Sequence, residues 1–559
     1  MQRDLKRLAA EPFDVLIVGG GVNGLATAWD ASLRGLRVAL VERGDFGGAT
    51  SANSLKTIHG GLRYLQHLDF RRMRESIRER STLMRIAPHL IRPVGFLVPA
   101  YGHGAKGRLA LAAARRINDF LSRDRNRHLA AGLRIPDGEI LKRTECLDRI
   151  PGLDPNGLTG GLIFYDGQMQ SSERMTLAFA LSAADEGAAL ANYAELVSWL
   201  REGTTVVGAV IRDGETAVEF DVRARFTINM TGPWSGRMTG LLDSGSGRPH
   251  GARLSKGIQI ITRDLTGDLG LAITSRHKDS DAVLSRGARH YFIAPWRGHS
   301  LIGTTDTLFE GDPDAFRITE SEVSAFVEDV AGAFPAAGLS RADVCHVFGG
   351  LQPIDPRRIH QGAQVAKSPT FIDHARADRI DGILTVIGVK YTGCRLLAEQ
   401  TVDRACARLG HTGAPCRTHE TPLHGGDAGT AADARERVAA AGILPAVVAY
   451  LAGTYGSESE TLLRLLREDG RHAEPVPGAD RIPAAAIVHA ARHESAVRLS
   501  DVVMRRTDLG TLGHPGPEAL RFCAEAMAGE MGWGGERRAS EIADTDDTFT
   551  LCRRVDSGA

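Results

Sequence analysis

The stretch Lys56-Thr-Ile-His-Gly-Gly-Leu-Arg-Tyr64 brings an ammonium, an imidazole, two glycines, a guanidinium and a phenol into one short segment. Paired glycines let backbone approach a ligand closely, and the planar fork of Arg63 suits a carboxylate or a phosphate. The chemistry on offer is the fixing of a small anion, with His59 able to move a proton near neutral pH. Two other roles stay open: Arg63 can pair with Asp69, and His59 can cap a turn or line a larger ligand. A second such residue is Lys390, at the end of the apolar strand in "GILTVIGVKYT" (382–392) and close to Gly388. Ligands of parallel sheets sit outside strand C-termini, so Lys390 is expected to reach one. The pair His493-Glu494 has the start of a zinc-protease helix, but Val497 stands where the second histidine belongs. That pair reads as helical surface, sharing a face with His489, Arg492 and Arg498.

Elements must position these groups, and the clearest is at the N-terminal end. Phe13 to Val18, "FDVLIV", is a continuous apolar run of the kind buried in a parallel sheet, and it leads into Gly19-Gly-Gly-Val-Asn-Gly24. A helix follows, Gly35 ends it, and a second strand "RVALVE" finishes on Glu42. In this context Gly19 makes the tight turn and Gly21 admits a pyrophosphate at the helix N-terminus. Gly24 lets helix and strand pack, and Glu42 bonds a ribose hydroxyl. The unit predicts a dinucleotide with an unphosphorylated ribose. No further short βαβ units follow at once. Instead the chain returns to the same ligand at "RFTINMTGPW" (225–234) and again at 382–392, as suits FAD held in extended form.

Between these returns, strand-and-turn alternation ("GGLIFYDGQM", "TTVVGAVIRDGETAVEFDV", "KGIQIITRD", "HYFIAPWRGHSLIGTTD") predicts an inserted antiparallel sheet domain, mainly within 160–350. After the Gly-rich hinge "LHGGDAGT" (423–430), Ala, Leu, Arg and Glu recur at helical spacing. The predicted architecture is α/β. A two-dinucleotide-binding-type FAD domain with its inserted β substrate domain occupies 1–425, a linker 426–430, an all-α domain 431–545 and a tail 546–559.

Bulk properties restrict the function classes. The 68 basic and 68 acidic side chains cancel, so nothing global points to nucleic acid and anion recognition must be local. Seven cysteines without a C-x-x-C argue for a reducing compartment and for packing roles. There is neither an apolar signal region nor a run of about 18 apolar residues, so a cytoplasmic protein is expected. Residues 105–128 carry seven basic against two acidic residues interleaved with Leu109, Ile117, Phe120 and Leu121. That stretch fits either an anionic bilayer surface or an ordinary amphipathic helix packed on the protein.

Several long motifs in order resemble the FAD-dependent glycerol-3-phosphate dehydrogenases and their oxidase relatives. They are Gly19 to Gly24, "ATSANSLKTIHGGLRYLQ", "NMTGPW" (229–234), "APW…LIGTTDT" (294–307) and "YGSESETLLRLL…HAARHESAVRLSDVVMRRTDLG…GEMGW". The resemblance implies oxidation of glycerol 3-phosphate to dihydroxyacetone phosphate, with a base taking the hydroxyl proton and a hydride passing to flavin N5. Electrons then go to a quinone or another acceptor. It implies Arg63 and Tyr64 at the substrate phosphate, Lys390 near flavin and substrate, and peripheral contact of the basic stretch with the cytoplasmic face of the inner membrane. Cofactor residues are expected to be Gly19, Gly21, Gly24, Glu42, Thr50, Ser51, Thr231, Gly232, Gly388 and Thr392. Substrate residues are Arg63, Tyr64, Gln259, Gln352 and Arg395, with Lys390 and His59 catalytic and no metal.

Two positions depart from the family pattern. Gln259 in "KGIQII" replaces a family histidine, and glutamine cannot take a proton. Gln352 in "GGLQPID" replaces a family arginine, for which Arg357 or Arg358 could substitute. These changes raise two alternatives: a relative retuned to another polyol phosphate, hydroxy acid or amine, and a flavin-bearing regulatory or assembly protein without turnover.

Overall fold

The computed structural model describes residues 1–102, 107–242, 251–278, 288–354, 366–440 and 442–551. Strand Phe13–Val18 pairs in parallel with Val38–Val41 on one side and Glu219–Asn229 on the other. Glu219–Asn229 in turn pairs in parallel with Ile383–Ile387. These apolar runs are buried, as a parallel sheet covered by helices requires. Val18 lies opposite both Val41 and Asn229, and Asn229 lies opposite Thr385. The four strands therefore end near one level, and the residues just beyond them leave the sheet along one edge. Helix Val22–Leu33 packs between helices Ser172–Asp185 and Cys394–Leu409, where Trp29 meets Phe179 edge-on with ring centroids 5.8 Å apart.

The second sheet has ten strands and carries the elements that cover that edge. Its central strands are Leu254–Arg263, His299–Gly303, Ala288–Trp296, Gly270–Lys278, Ile91–Tyr101 and Leu158–Met169. Neighbours are antiparallel except Gly270–Lys278 against Ile91–Tyr101. Two differences from the sequence reading stand out. Strands Thr57–Ile58, Ile91–Tyr101 and Glu139–Lys142 join this sheet from before residue 160. The stretch 204–222 does not belong to it. Thr205–Asp213 pairs with Ala194–Glu202 and with the first half of Glu219–Asn229, whose second half pairs with Phe13–Val18. One long strand serves two partners. Period-two alternation marks a strand but does not name its neighbour.

The C-terminal part is a helical unit, including Ala428–Ala440, Pro445–Tyr455, Ser459–Glu468, Ala484–His493, Pro517–Met531 and Gly535–Asp547, with one small ribbon, Pro475–Val476 against Ala479–Pro483. Its core gathers Leu451, Leu462, Ile487, Val502 and Phe549. Buried charge joins it to the cofactor half of the molecule. Arg174 Nη1 donates to both Glu494 oxygens at 2.7 Å, and Arg506 donates to both Asp45 oxygens at 2.6 and 2.7 Å. The reading of His493-Glu494 as helical surface is corrected by this: Glu494 is 1% exposed because the chain turns after the helix and drives it onto Arg174. Arg492 and Arg498 do pair outward, with Glu530 and Glu215. Removing one partner of such a buried pair costs about 3–5 kcal/mol. The six described cysteines are free, and Cys552 lies outside the described residues.

Candidate active site

At the end of Phe13–Val18 the backbone turns with Gly19 at φ +113°, and a Cβ there would stand 2.5 Å from the Met230 carbonyl oxygen. A Cβ on Gly24 would stand 1.9 Å from Gly19 O, and one on Gly388 2.2 Å from Asn23 Nδ2. At Gly19 and Gly24 the opposing atoms are backbone and only glycine fits, while at Gly388 the obstacle is the end of the Asn23 side chain. Gly21 precedes helix Val22–Leu33, whose Val22 N–H donates to Ser51 Oγ at 3.0 Å. Glu42 accepts from Gly20 N–H (2.7 Å) and Gly44 N–H (2.9 Å), which aim its carboxylate. Burial raises its pKa, more than the two backbone donors lower it.

Gly19, Gly21, Glu42, Gly44, Ser51 and Gly388 line a cavity of about 1260 Å³. A single small-ligand pocket holds roughly 300–1,000 Å³, so there is room for an extended dinucleotide and a second small molecule. Of the residues assigned to the cofactor, Gly19, Gly21, Glu42, Thr50, Ser51, Thr231, Gly232, Gly388 and Thr392 all line it; Gly24 acts through packing instead. The register explains the convergence, since Gly19, Glu42, Thr231 and Gly388 all follow strands that end together.

A second part of the same cavity is lined by His59, Tyr64, Gln259, Gln352 and Lys390. Lys390 Nζ hydrogen-bonds Tyr64 Oη and lies 4.3 Å from the centre of its ring. The His59 ring stands 6.1 Å from that of Tyr64, and its backbone N–H donates to Thr392 Oγ1 at 3.2 Å. Gly60 N–H donates to Asp166 Oδ1 at 2.6 Å, so the paired glycines lock the loop onto the neighbouring strand. Gln259 is buried, and its Nε2 donates to Thr304 Oγ1 at 2.8 Å. Its Oε1 is buried without a hydrogen-bond partner. The gap left by Gly257 draws the group together: a Cβ there would meet Thr304 Oγ1 at 2.8 Å and Gln352 Nε2 at 3.3 Å.

One assignment is corrected. Arg395 does not line the cavity; its guanidinium is taken up by Glu79 (2.6 and 2.9 Å), Glu399 (2.8 Å) and Thr418 (3.0 Å). It lies on the inward face of helix Cys394–Leu409, where a buried arginine must be matched by carboxylates. The side chain of Arg63 and residues Arg357 and Arg358 lie outside the described residues. Asp69, a partner considered for Arg63, caps helix Phe70–Ile86 by accepting from Arg72 N–H at 3.1 Å.

The structure adds lining residues that the sequence analysis did not single out: Arg317, Lys367, Asp166 and Asp45, and, inside the long motifs, Thr304 and Arg505. Lys367 is held next to the Gln352 strand by the bond from Ala366 N–H to Pro353 O at 2.7 Å. Among the described residues no group of histidine, cysteine or carboxylate side chains could hold a metal.

Comparison with known proteins places this site. Residues 14–389 match the family model described as FAD dependent oxidoreductase, and 416–538 the C-terminal domain of alpha-glycerophosphate oxidase. Glycerol-3-phosphate dehydrogenase 2 of Mycobacterium tuberculosis is 32% identical over 548 residues, covering 96% of this chain and 88% of that protein. The chain belongs to the FAD-dependent glycerol-3-phosphate dehydrogenase family. A Synechocystis glycerol-3-phosphate dehydrogenase is 29% identical, with 97% of both chains covered. The structure of the glycerol-3-phosphate dehydrogenase from Bacillus halodurans complexed with FAD shares the fold at a TM-score of 0.75 and 24% identity, over 99% of this chain and 97% of that one. The protein is an FAD-dependent oxidoreductase, and its cradle fits the cofactor. Gly19 and Gly24 admit no side chain, and the cavity-lining Asn23 offers a buried, unpartnered Oδ1 beside Gly388.

Proposed function

We propose that this dehydrogenase oxidises glycerol 3-phosphate to dihydroxyacetone phosphate and passes the electrons to a quinone or another acceptor. The observation that carries the reading is a single cavity that joins the dinucleotide cradle to the cations Lys390, Lys367 and Arg317. Gly19, Gly21, Glu42, Thr50, Ser51, Thr231, Gly232, Gly388 and Thr392 would hold FAD, which supplies a two-electron acceptor when bound. Lys390, oriented by Tyr64, fixes the oxygen that loses its proton, because a positioned ammonium stabilises developing negative charge. His59 takes the proton, within the reach of a substrate held by Tyr64. Lys367 and Arg317 supply the phosphate with the positive charge that Gln352 lacks, each charge-assisted contact being worth about 1.5–3 kcal/mol. Anaerobic addition of glycerol 3-phosphate to the yellow holoprotein should bleach it rapidly. No bleaching with that substrate would defeat the reading.

One observation favours a second reading, a relative retuned to another polyol phosphate, hydroxy acid or amine. Gln259 Oε1 is a buried acceptor without a partner, so a substrate bringing an extra N–H or O–H donor there would gain a bond. The same anaerobic assay with a panel of alcohols and amines separates the two.

Membrane contact is part of the proposal as well. Helix Arg108–Leu121 rests on the protein through Leu111, Ala114 and Leu121 and turns Leu109 (84% exposed), Ile117 and Phe120 outward among arginines. This suits an anionic bilayer surface. Among the described residues no helix is long and apolar enough to cross a membrane. Flotation with anionic vesicles, lost in Leu109→Asp/Phe120→Asp, tests the contact.

A further inference from the structure

Two walls of the cavity around Glu42 are held from outside by the helical domain. The first is the loop that follows Glu42. Its Asp45 carboxylate is fully buried and accepts from Arg506 Nη1 and Nη2 (2.6 and 2.7 Å) and from Arg505 Nε (2.5 Å). The second is the segment Asn192–Leu196. Asn192 Nδ2 donates to Asp45 Oδ1 and to the Ser495 carbonyl, both at 2.9 Å. Tyr193 Oη donates to Asp501 Oδ1 at 2.5 Å, and the Arg498 guanidinium lies 4.5 Å from the centre of its ring. Arg505 Nη2 closes the circuit on Asp501 Oδ1 at 2.7 Å. Asp45, Tyr193 and Arg505 all line the cavity.

The connection to the cofactor runs through one peptide. Gly44, whose N–H orients Glu42, immediately precedes Asp45. If the arginines withdrew, Asp45 would be a buried charge without compensation and its loop would have to move into solvent, taking the Gly44 donor with it. The geometry points to Asp45, Tyr193 and Arg505 as positioning residues for the adenosine half of FAD, so that docking of the helical domain and retention of the cofactor are coupled. This builds on the proposed role of Glu42 as the ribose ligand. By linkage, the factor by which docking of the helical domain strengthens cofactor binding is the factor by which bound cofactor strengthens docking.

The test uses full-length holoprotein and reads two transitions on heating, the release of flavin fluorescence and the loss of helical circular dichroism, together with the rate of flavin release on dilution. In the unaltered protein the coupling predicts that the two transitions coincide. In Asp45→Asn and Tyr193→Phe flavin leaves at a lower temperature than helix is lost, and release is faster by about 5- to 150-fold, the usual span of such coupling. A merely structural role would move both transitions together. Tyr193→Phe removes a single hydrogen bond and keeps the ring, so it carries the test if Asp45→Asn does not fold. Transitions that stay coincident, with release within about twofold of the unaltered rate, would overturn the coupling. Glu42→Ala separates the two levels: if it loses flavin while the bracing variants keep theirs, only the coupling falls. If it too retains flavin normally, the placement of the ribose falls instead.

Discussion

The glycine-marked cradle and the chamber around Tyr64 and Lys390 share one cavity but are built by different means. In the cradle the determining features are backbone: a left-handed turn at Gly19, the absence of any Cβ at Gly24 and Gly388, and four strands ending in register. In the chamber they are side chains from remote segments, with Tyr64 meeting Lys390 and Gln259 meeting Thr304. A change in the cradle should therefore act by exclusion, whatever the chemistry of the new side chain. A change in the chamber should act through charge and hydrogen bonding, and leave the fold intact.

The largest expected effect is in the cradle. Gly24→Val places a side chain against Gly19 O where a Cβ already comes within 1.9 Å, and nothing there is a flexible side-chain end that can yield. Overpacking of this kind costs about 1–3 kcal/mol or more, and the purified protein should be colourless or insoluble. Normal yellow colour would break the contrast. Next is Lys390→Met, which removes the ammonium bonded to Tyr64. Turnover should fall about 10²- to 10³-fold while flavin content stays normal. Lys367→Met should act on binding, raising KM for glycerol 3-phosphate about tenfold to a hundredfold with a smaller change in kcat, as expected for a lost charge-assisted contact.

Acid should produce the smallest effect near neutrality. Burial alone would raise the carboxyls of Asp45 and Glu494, but Arg506 and Arg505 beside the first, and Arg174 beside the second, hold both well below the usual carboxylate range. Folded values below unfolded ones mean that this stabilisation is fully present above about pH 4–5 and is lost as pH falls through the depressed values. The melting temperature should therefore not vary with pH through these two groups between pH 6 and 8, where their full contribution is present, and should decline below the ordinary carboxylate range of roughly 3.9–4.3. Asp45→Asn should flatten the acid limb. An unchanged acid limb in that variant would remove Asp45 from the account.

The same contrast explains what could be read in the sequence. A backbone-built site leaves a local signature, because only glycine serves at Gly19, Gly21 and Gly24 and the acid follows at a fixed distance. The glycine turn is legible for that reason, and Thr231 and Gly388, expected beside it, line the same cavity. Lys390 was legible too, since it follows a strand end. Arg395 sits only five residues on, yet one turn of helix carries it inward to Glu79, a matter of helix phase and of a partner more than three hundred residues away. Lys367 and Arg317 sit in irregular segments without periodicity, and Asp45 reaches its arginines only once the helical domain docks. Pairing partners are not encoded locally, which is also why 204–222 was assigned to the wrong sheet.

The measurement that bears most directly on the central claim is anaerobic mixing of the yellow holoprotein with glycerol 3-phosphate, followed by assay of the product. The account predicts rapid bleaching with one dihydroxyacetone phosphate formed per flavin. Holoprotein that stays yellow with glycerol 3-phosphate, while another alcohol or an amine bleaches it, would contradict it.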